Sequence, residues 1–144
     1  MQSTILTAKA RADIVVLEKV GGKRDGAKPL FVFEIKRAIS SNAQIDKDLS
    51  RLAAVKRAHP ALSTWLVVVS EAARPTRFVT DKGVADTQTH RIPETTQLYR
   101  VRRVFKATHA FASKDRAQYA CLIEVSMPML PKVLRRYREW NAKG

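Results

Sequence analysis

Cysteine is nearly absent from this sequence, and its absence excludes several kinds of site. Cys121 is the single cysteine among 144 residues, so no disulfide can form within the chain and no cysteine-rich zinc site can be built. The three histidines, His59, His90 and His109, are too widely separated to show metal-ligand spacing. Cys121 lies in an apolar stretch, which predicts a small core residue.

Long apolar runs and a targeting segment are lacking as well. No uninterrupted apolar run is long enough to cross a bilayer, and the first six residues lack the basic start and apolar run of a signal peptide. We therefore expect a cytoplasmic protein without a membrane partner. An apolar fraction of 45% is still enough for a proper core, so the length predicts one domain over residues 1–144.

Acidic residues are few relative to basic ones. The chain has 13 Asp and Glu against 27 Lys and Arg, which gives a formal net charge of +14. This charge exceeds what solubility requires and attracts polyanions, among which nucleic acid is the commonest. A generally basic surface, as in ribosome-associated proteins, is the simpler alternative. The charge indicates a class of partner and leaves the chemistry open.

The first half of the chain shows the pattern of two strands, a helix and a third strand. Residues 12–19 and 30–37 are β-prone, and the short glycine-bearing connector between them favours an antiparallel hairpin. Residues 43–58 have apolar side chains at helical spacing and stop before Pro60. The continuous apolar run at 64–70 is typical of a strand covered on both faces. Together these elements predict a crossover with a parallel strand pair.

The second half is less regular. Residues 72–96 are polar and predict a loop with one short strand at 77–80. Residues 97–107 and 117–126 predict two further strands. Residues 129–140 have apolar side chains at helical spacing and predict a final helix.

Two charged side chains in the second strand form the centre of the candidate site. Strand alternation places Glu34 and Lys36 on one face, and we expect Phe31, Phe33 and Ile35 on the other face to point into the core. A carboxylate and an ammonium group in an apolar strand are costly unless they are paired or bound to a metal. The simplest alternative is a cross-strand ion pair on a solvated sheet face.

Asp13 begins the neighbouring strand, and we expect it to lie near Glu34 across the hairpin. Two adjacent carboxylates repel each other, and a divalent cation relieves that repulsion. Asp13, Glu34 and the backbone carbonyl of Ile35 would offer the oxygen ligands that Mg²⁺ or Mn²⁺ prefers. Such a metal would polarise a phosphate and lower the pKa of a bound water, while Lys36 would orient that water or stabilise charge in the transition state.

The combination of Asp13 with Glu34-Ile35-Lys36 resembles the PD-(D/E)XK nuclease superfamily, in which an Asp at a strand start precedes Glu-X-Lys on the next strand. Ala12 stands where that family often has proline. The family core runs helix, three-strand meander, helix and strand. A β-prone run at residues 3–8 and the elements above reproduce this order from the meander onward.

The resemblance implies an α/β fold of the restriction-endonuclease-like type, a mixed central sheet flanked by helices. It implies a three-strand meander followed by a helix-strand crossover. Residues 1–71 would form the nuclease-like core. Residues 72–144 would complete the fold with a C-terminal β-hairpin and a helix.

The resemblance also implies an activity, namely metal-dependent hydrolysis of DNA phosphodiester bonds in repair, restriction or mobile-element processing. The catalytic residues would be Asp13, Glu34, Lys36 and Gln44. Gln44 is included because several exonuclease-like branches use a glutamine in the following helix to hold the active site.

We expect this sequence to lack a counterpart of the first helix of the family, and in the family that helix often supplies a further acidic residue. A partner chain or second copy would supply it, or a terminal helix such as 129–140 would replace it, or the site would work with fewer carboxylates. Glu124 and Glu139 are candidate substitutes.

Basic side chains are expected to contact DNA phosphates. The candidates are Arg37, Lys47, Arg51, Arg100, Arg102, Arg103, Arg135 and Arg136. The alternative function is a non-catalytic nucleic-acid-binding module or subunit with a decayed nuclease fold. In that case the strand at 97–107 and the helix at 129–140 would carry the binding.

Overall fold

The fold is α/β and consists of a mixed six-stranded sheet and one helix in the part of the chain that the computed structural model describes. The described residues are 12–19, 21, 26–37, 41–71, 73–107 and 118–128. The elements are β1 (Ile14–Lys19), β2 (Ala27–Arg37), α1 (Asn42–Ala58), β3 (Ser63–Ser70), β4 (Thr89–Arg91), β5 (Leu98–Ala107) and β6 (Gln118–Ser126).

The first half of the sheet follows the predicted connections. β1 and β2 form an antiparallel hairpin, with Ile14 opposite Phe33 and a register shift after Val16. The chain then crosses through α1 and returns as β3, which pairs with β2 in parallel. The hairpin and the parallel crossover are therefore confirmed.

The second half adds three strands to the same sheet. β5 and β6 form the predicted hairpin, and β6 also pairs antiparallel with β3, so the strand order is β1-β2-β3-β6-β5-β4. The predicted strand at 77–80 is wrong, since only an isolated bridge joins Val79 to Ala85. Phe78 and Val79 are buried by a turn that returns their backbone N–H groups to the carbonyl of Pro75. The short strand β4 was not predicted, because its sequence Thr-His-Arg lacks an apolar pattern.

One face of the sheet packs against α1 and forms the core. The helix buries the apolar stripe Ile45, Leu49, Leu52 and Ala53 against it. Cys121 is fully buried on that face, so its prediction as a core residue is confirmed. Burial raises the pKa of the Cys121 thiol to about 11.

The prediction that Phe31, Phe33 and Ile35 point into the core is wrong. Val32 and Glu34 are 2% and 8% exposed, whereas Phe31 and Ile35 are 36% and 47% exposed. The buried side of β2 is therefore the side that carries Glu34. The reason is long-range, because α1 crosses the sheet over that face and no other described helix covers the opposite face.

The prediction that β3 is covered on both faces is also wrong in part. Thr64, Leu66 and Val68 are fully buried beneath α1, whereas Trp65 and Val67 on the other face are half-buried. A continuous apolar run therefore does not require equal burial on both sides.

Two predicted elements, the strand at 3–8 and the helix at 129–140, lie outside the described residues. In the part of the chain that is described, no helix has the length and apolar character needed to cross a membrane.

Candidate active site

The hairpin brings Asp13 against the Glu34-Ile35-Lys36 segment. The ladder between β1 and β2 ends at the pair Ile14 and Phe33. Beyond that point the backbone N–H of Ile35 donates a hydrogen bond of 2.6 Å to Oδ2 of Asp13. In a β-strand the N–H and C=O of one residue point to the same side. The carbonyl of Ile35 is therefore directed to the edge where Asp13 lies.

Glu34 is buried and lies among four charged groups. Its Oε2 atom is 3.2 Å from Nη2 of Arg51. Burial is the main cause that raises the pKa of Glu34 above its ordinary value. The Arg51 guanidinium and the Lys36 ammonium act against this rise, and the carboxylates of Asp13 and Asp48 add to it. Glu34 therefore holds its proton more strongly than an exposed glutamate does.

Asp48 on α1 is part of the site and was not among the residues predicted from the sequence. Its Oδ1 atom is 2.6 Å from Nη2 of Arg51, and its Oδ2 atom is 2.9 Å from Nζ of Lys36. We call Glu34, Lys36, Asp48 and Arg51 the charge network. A signal was present in the sequence, because Asp48 follows Ile45 by three residues and so lies on the apolar side of the helix.

The guanidinium of Arg51, which is also a predicted DNA contact, is bound within the charge network. Its contact with DNA stays a prediction. Gln44 also has a local partner. The backbone N–H of Ser41 donates to Oε1 of Gln44, and the backbone N–H of Gln44 donates to Oγ of Ser41, both at 3.3 Å. These two bonds form a capping box at the start of α1. The catalytic role of Gln44 stays a prediction.

The oxygen atoms of Asp13, Glu34 and Ile35 suit Mg²⁺ or Mn²⁺ in their chemistry. Magnesium sites often use one or two carboxylates, with water and substrate phosphate completing the coordination. No group of three or more His, Cys, Asp or Glu side chains within the described ranges is placed to hold a metal ion. A magnesium ion held by these oxygen atoms would therefore take its remaining ligands from solvent and phosphate.

The basic residues predicted to contact DNA fall into different environments. Lys47, Arg100 and Arg103 are exposed. Arg37 is exposed and forms an ion pair of 3.3 Å with Glu71. The remaining candidates Arg135 and Arg136 lie outside the described residues, as do Glu139 and His109.

Glu124, a candidate for a further site carboxylate, lies away from the charge network. It forms an ion pair with Arg102, another predicted DNA contact, across β5 and β6. It is paired with Trp65 in the ladder, so it lies on the face of the sheet opposite to Glu34. Glu124 is therefore separated from the charge network, because its side chain points to the other face of the sheet and because it lies on a different strand, β6.

A small cavity of about 160 Å³ lies at the start of α1. It adjoins the site, because Val68 in its wall is the ladder partner of Lys36. Two arginines of the cavity lining lie close to the N-terminus of the helix. The full set of lining residues is Asn42, Ile45, Val68, Arg74, Pro75, Thr76, Arg77 and Phe78. Arg74 and Arg77 pair with Asp81 and Asp46, respectively.

Comparison with known proteins gives no match to a family model, a curated protein or a solved structure. The geometry of the site and the charge of the chain are therefore the features that indicate function.

Proposed function

We propose that the protein is a metal-dependent nuclease that hydrolyses DNA phosphodiester bonds, with Asp13, Glu34 and Lys36 as catalytic residues. The observation that carries the proposal is the 2.6 Å hydrogen bond from Ile35 N to Asp13 Oδ2. It joins two sequence positions 22 residues apart and brings the Asp13 carboxylate beside the Glu34-Ile35-Lys36 segment. This juxtaposition is the one that the PD-(D/E)XK resemblance requires.

The order of elements supports the same proposal. An antiparallel hairpin of β1 and β2, the crossover helix α1 and the parallel strand β3 follow the order of the PD-(D/E)XK core after its first elements. A restriction-endonuclease-like topology is part of the proposal. A second copy or partner chain that supplies the first helix is consistent with it, as is a cytoplasmic location.

Each residue would have a distinct task. Mg²⁺ or Mn²⁺, when bound, would polarise the scissile phosphate and lower the pKa of the attacking water. Asp13 and Glu34 would hold the cation through carboxylate oxygens, together with the carbonyl of Ile35. Lys36 would place its ammonium group next to the phosphate and stabilise negative charge in the transition state. The 2.9 Å contact with Asp48 orients that ammonium group.

The charge of the chain supports nucleic acid as the substrate. A net charge of +14 attracts a polyanion over a long range. Exposed Lys47, Arg100 and Arg103 are available for phosphate contacts. A salt-dependent contribution to binding follows from such contacts.

The proposal is tested by incubating the purified protein with linear and circular DNA and Mg²⁺. We expect cleavage by the wild type, and a loss of about 100-fold or more for each of two variants. Glu34→Gln removes a carboxylate that would hold the metal, and Lys36→Met removes the ammonium group that would stabilise developing charge. Exposed Glu18 on β1 offers a matched control, and Glu18→Gln should cleave like the wild type. Absence of cleavage, or full activity in both site variants, would contradict the proposal.

A second function is favoured by one observation. Lys36 and Arg51 already pair with Glu34 and Asp48, so the charge network is electrically balanced without a metal. A non-catalytic nucleic-acid-binding module with a decayed site would have this property. DNA binding that weakens with salt, without any metal-dependent cleavage, would select this function.

A further inference from the structure

Arg51 connects two carboxylates that belong to different elements. Its Nη2 atom is 3.2 Å from Oε2 of Glu34 on β2 and 2.6 Å from Oδ1 of Asp48 on α1. A single cationic nitrogen thus bridges two acidic side chains. A divalent cation bound to Glu34 would compete for the same oxygen atoms.

The burial of the three side chains is unequal. The side chains of Glu34 and Asp48 are 11% and 6% exposed, whereas that of Arg51 is 43% exposed. Two desolvated carboxylates this close need a cation. Arg51 reaches them from the solvent side, so its guanidinium can leave without unpacking the core.

We propose that Arg51 is an internal competitor for the metal at Glu34 and is released when the metal binds. This inference rests on the proposed function. In the metal-free protein the guanidinium neutralises Glu34. On metal binding it leaves that oxygen and becomes available to a substrate phosphate. Asp48 keeps its second contact, the 2.9 Å ion pair with Lys36, throughout.

The competition has a reciprocal consequence. If Arg51 and the metal exclude each other at Glu34, weakening the Arg51–Glu34 contact must strengthen metal binding, and metal binding must weaken that contact. The reason is that linkage between two binding events is symmetrical. Removing the guanidinium should tighten metal binding, and adding metal should make the guanidinium more accessible.

The first measurement is a Mn²⁺ titration of the full chain, with free Mn²⁺ quantified by electron paramagnetic resonance. We expect Arg51→Gln to bind Mn²⁺ about two- to fivefold more tightly than the wild type, given the usual strength of a partly exposed ion pair. Arg57 is exposed in the last turn of the same helix. Arg57→Gln removes the same charge and should bind like the wild type. Equal or weaker binding by Arg51→Gln would overturn the inference.

The second measurement uses the wild-type protein, so it does not depend on the folding of a variant. Arginines are modified with phenylglyoxal, and the rate at each site is followed by peptide mass spectrometry. We expect Mn²⁺ to accelerate modification of Arg51 and to leave Arg57 unchanged. Unchanged or slower modification of Arg51 would overturn the inference.

The two proposals fail in distinguishable ways. If the protein cleaves DNA but Arg51→Gln and the wild type bind Mn²⁺ equally, the nuclease stands and the competition is overturned. If Arg51→Gln binds Mn²⁺ more tightly and neither protein cleaves DNA, the competition stands and the nuclease is overturned. If neither protein binds Mn²⁺, both are overturned.

Discussion

Glu34 is an acidic residue that folding buries among other charged side chains. It is buried beneath α1, and its two acidic neighbours Asp13 and Asp48 oppose its ionisation. Arg51 and Lys36 offset this only in part, so the pKa of Glu34 is raised. A carboxylate kept in such surroundings is typical of a functional site.

The raised pKa of Glu34 makes a prediction about stability and pH. The folded state binds the Glu34 proton more strongly than the unfolded state does. The stability that Glu34 contributes is therefore full below its unfolded pKa and is lost as pH rises through its folded pKa. Relative to the wild type, Glu34→Gln should become more stable as pH rises from about 4 to about 7.

Urea unfolding at several pH values measures this effect. Glu18→Gln, an exposed change on β1, should show no such trend. A Glu34→Gln variant that loses stability relative to the wild type as pH rises would contradict the prediction.

At the scale of elements, Asp48 connects the helix to the sheet. It is placed on the buried side of α1, where it binds Lys36 of β2 at 2.9 Å and Arg51 of its own helix at 2.6 Å. The capping box of Ser41 and Gln44 sets where the helix begins. Burial of the apolar stripe of α1 against the sheet then places Asp48 beside β2.

Asp48→Asn should lower the free energy of unfolding by about 2 to 4 kcal/mol, because it leaves Lys36 and Arg51 near Glu34 without their common partner. A matched control is Asp81→Asn. Asp81 also lies 2.6 Å from an arginine, Arg74, but its side chain is 97% exposed. The control should cost less than about 1 kcal/mol.

Denaturant unfolding of both variants at pH 7 provides the comparison. Equal losses in the two variants would show that burial of Asp48 does not strengthen its contacts.

At the scale of the whole molecule, the two faces of the sheet differ. One face is covered by α1 and holds the core and the charge network. Within the described ranges the other face shows half-buried or exposed apolar side chains, among them Phe31, Ile35, Trp65 and Phe105. Basic residues Arg100 and Arg103 lie exposed on β5. The net charge of +14 is a property of the whole chain.

This charge predicts how DNA binding depends on salt. With a chelator present to remove divalent metal, the affinity of the protein for DNA should fall at least about tenfold between roughly 50 and 200 mM salt. The reason is that contacts with phosphate release counterions. Arg100→Gln and Arg103→Gln should each reduce the slope by about 0.9 if each contacts one phosphate. Arg102→Gln should reduce it less, because Glu124 already holds Arg102. Slopes unchanged in all three variants would contradict this prediction.

The sequence by itself determined the local elements and part of the site. The glycine-bearing connector and two β-prone runs predicted the hairpin, and the apolar spacing after Ser41 predicted α1. Strand alternation put Glu34 and Lys36 on one face. These features depend on neighbours in sequence, so a pattern is enough to reveal them.

Only the tertiary structure decided which face of β2 is inside. That choice depends on the side over which α1 crosses back, and alternation in a strand is the same for either side. The crossing reversed the expected burial of Phe31 and Ile35. It also brought Asp48 and Arg51 to Glu34, a contact between elements that no local pattern encodes.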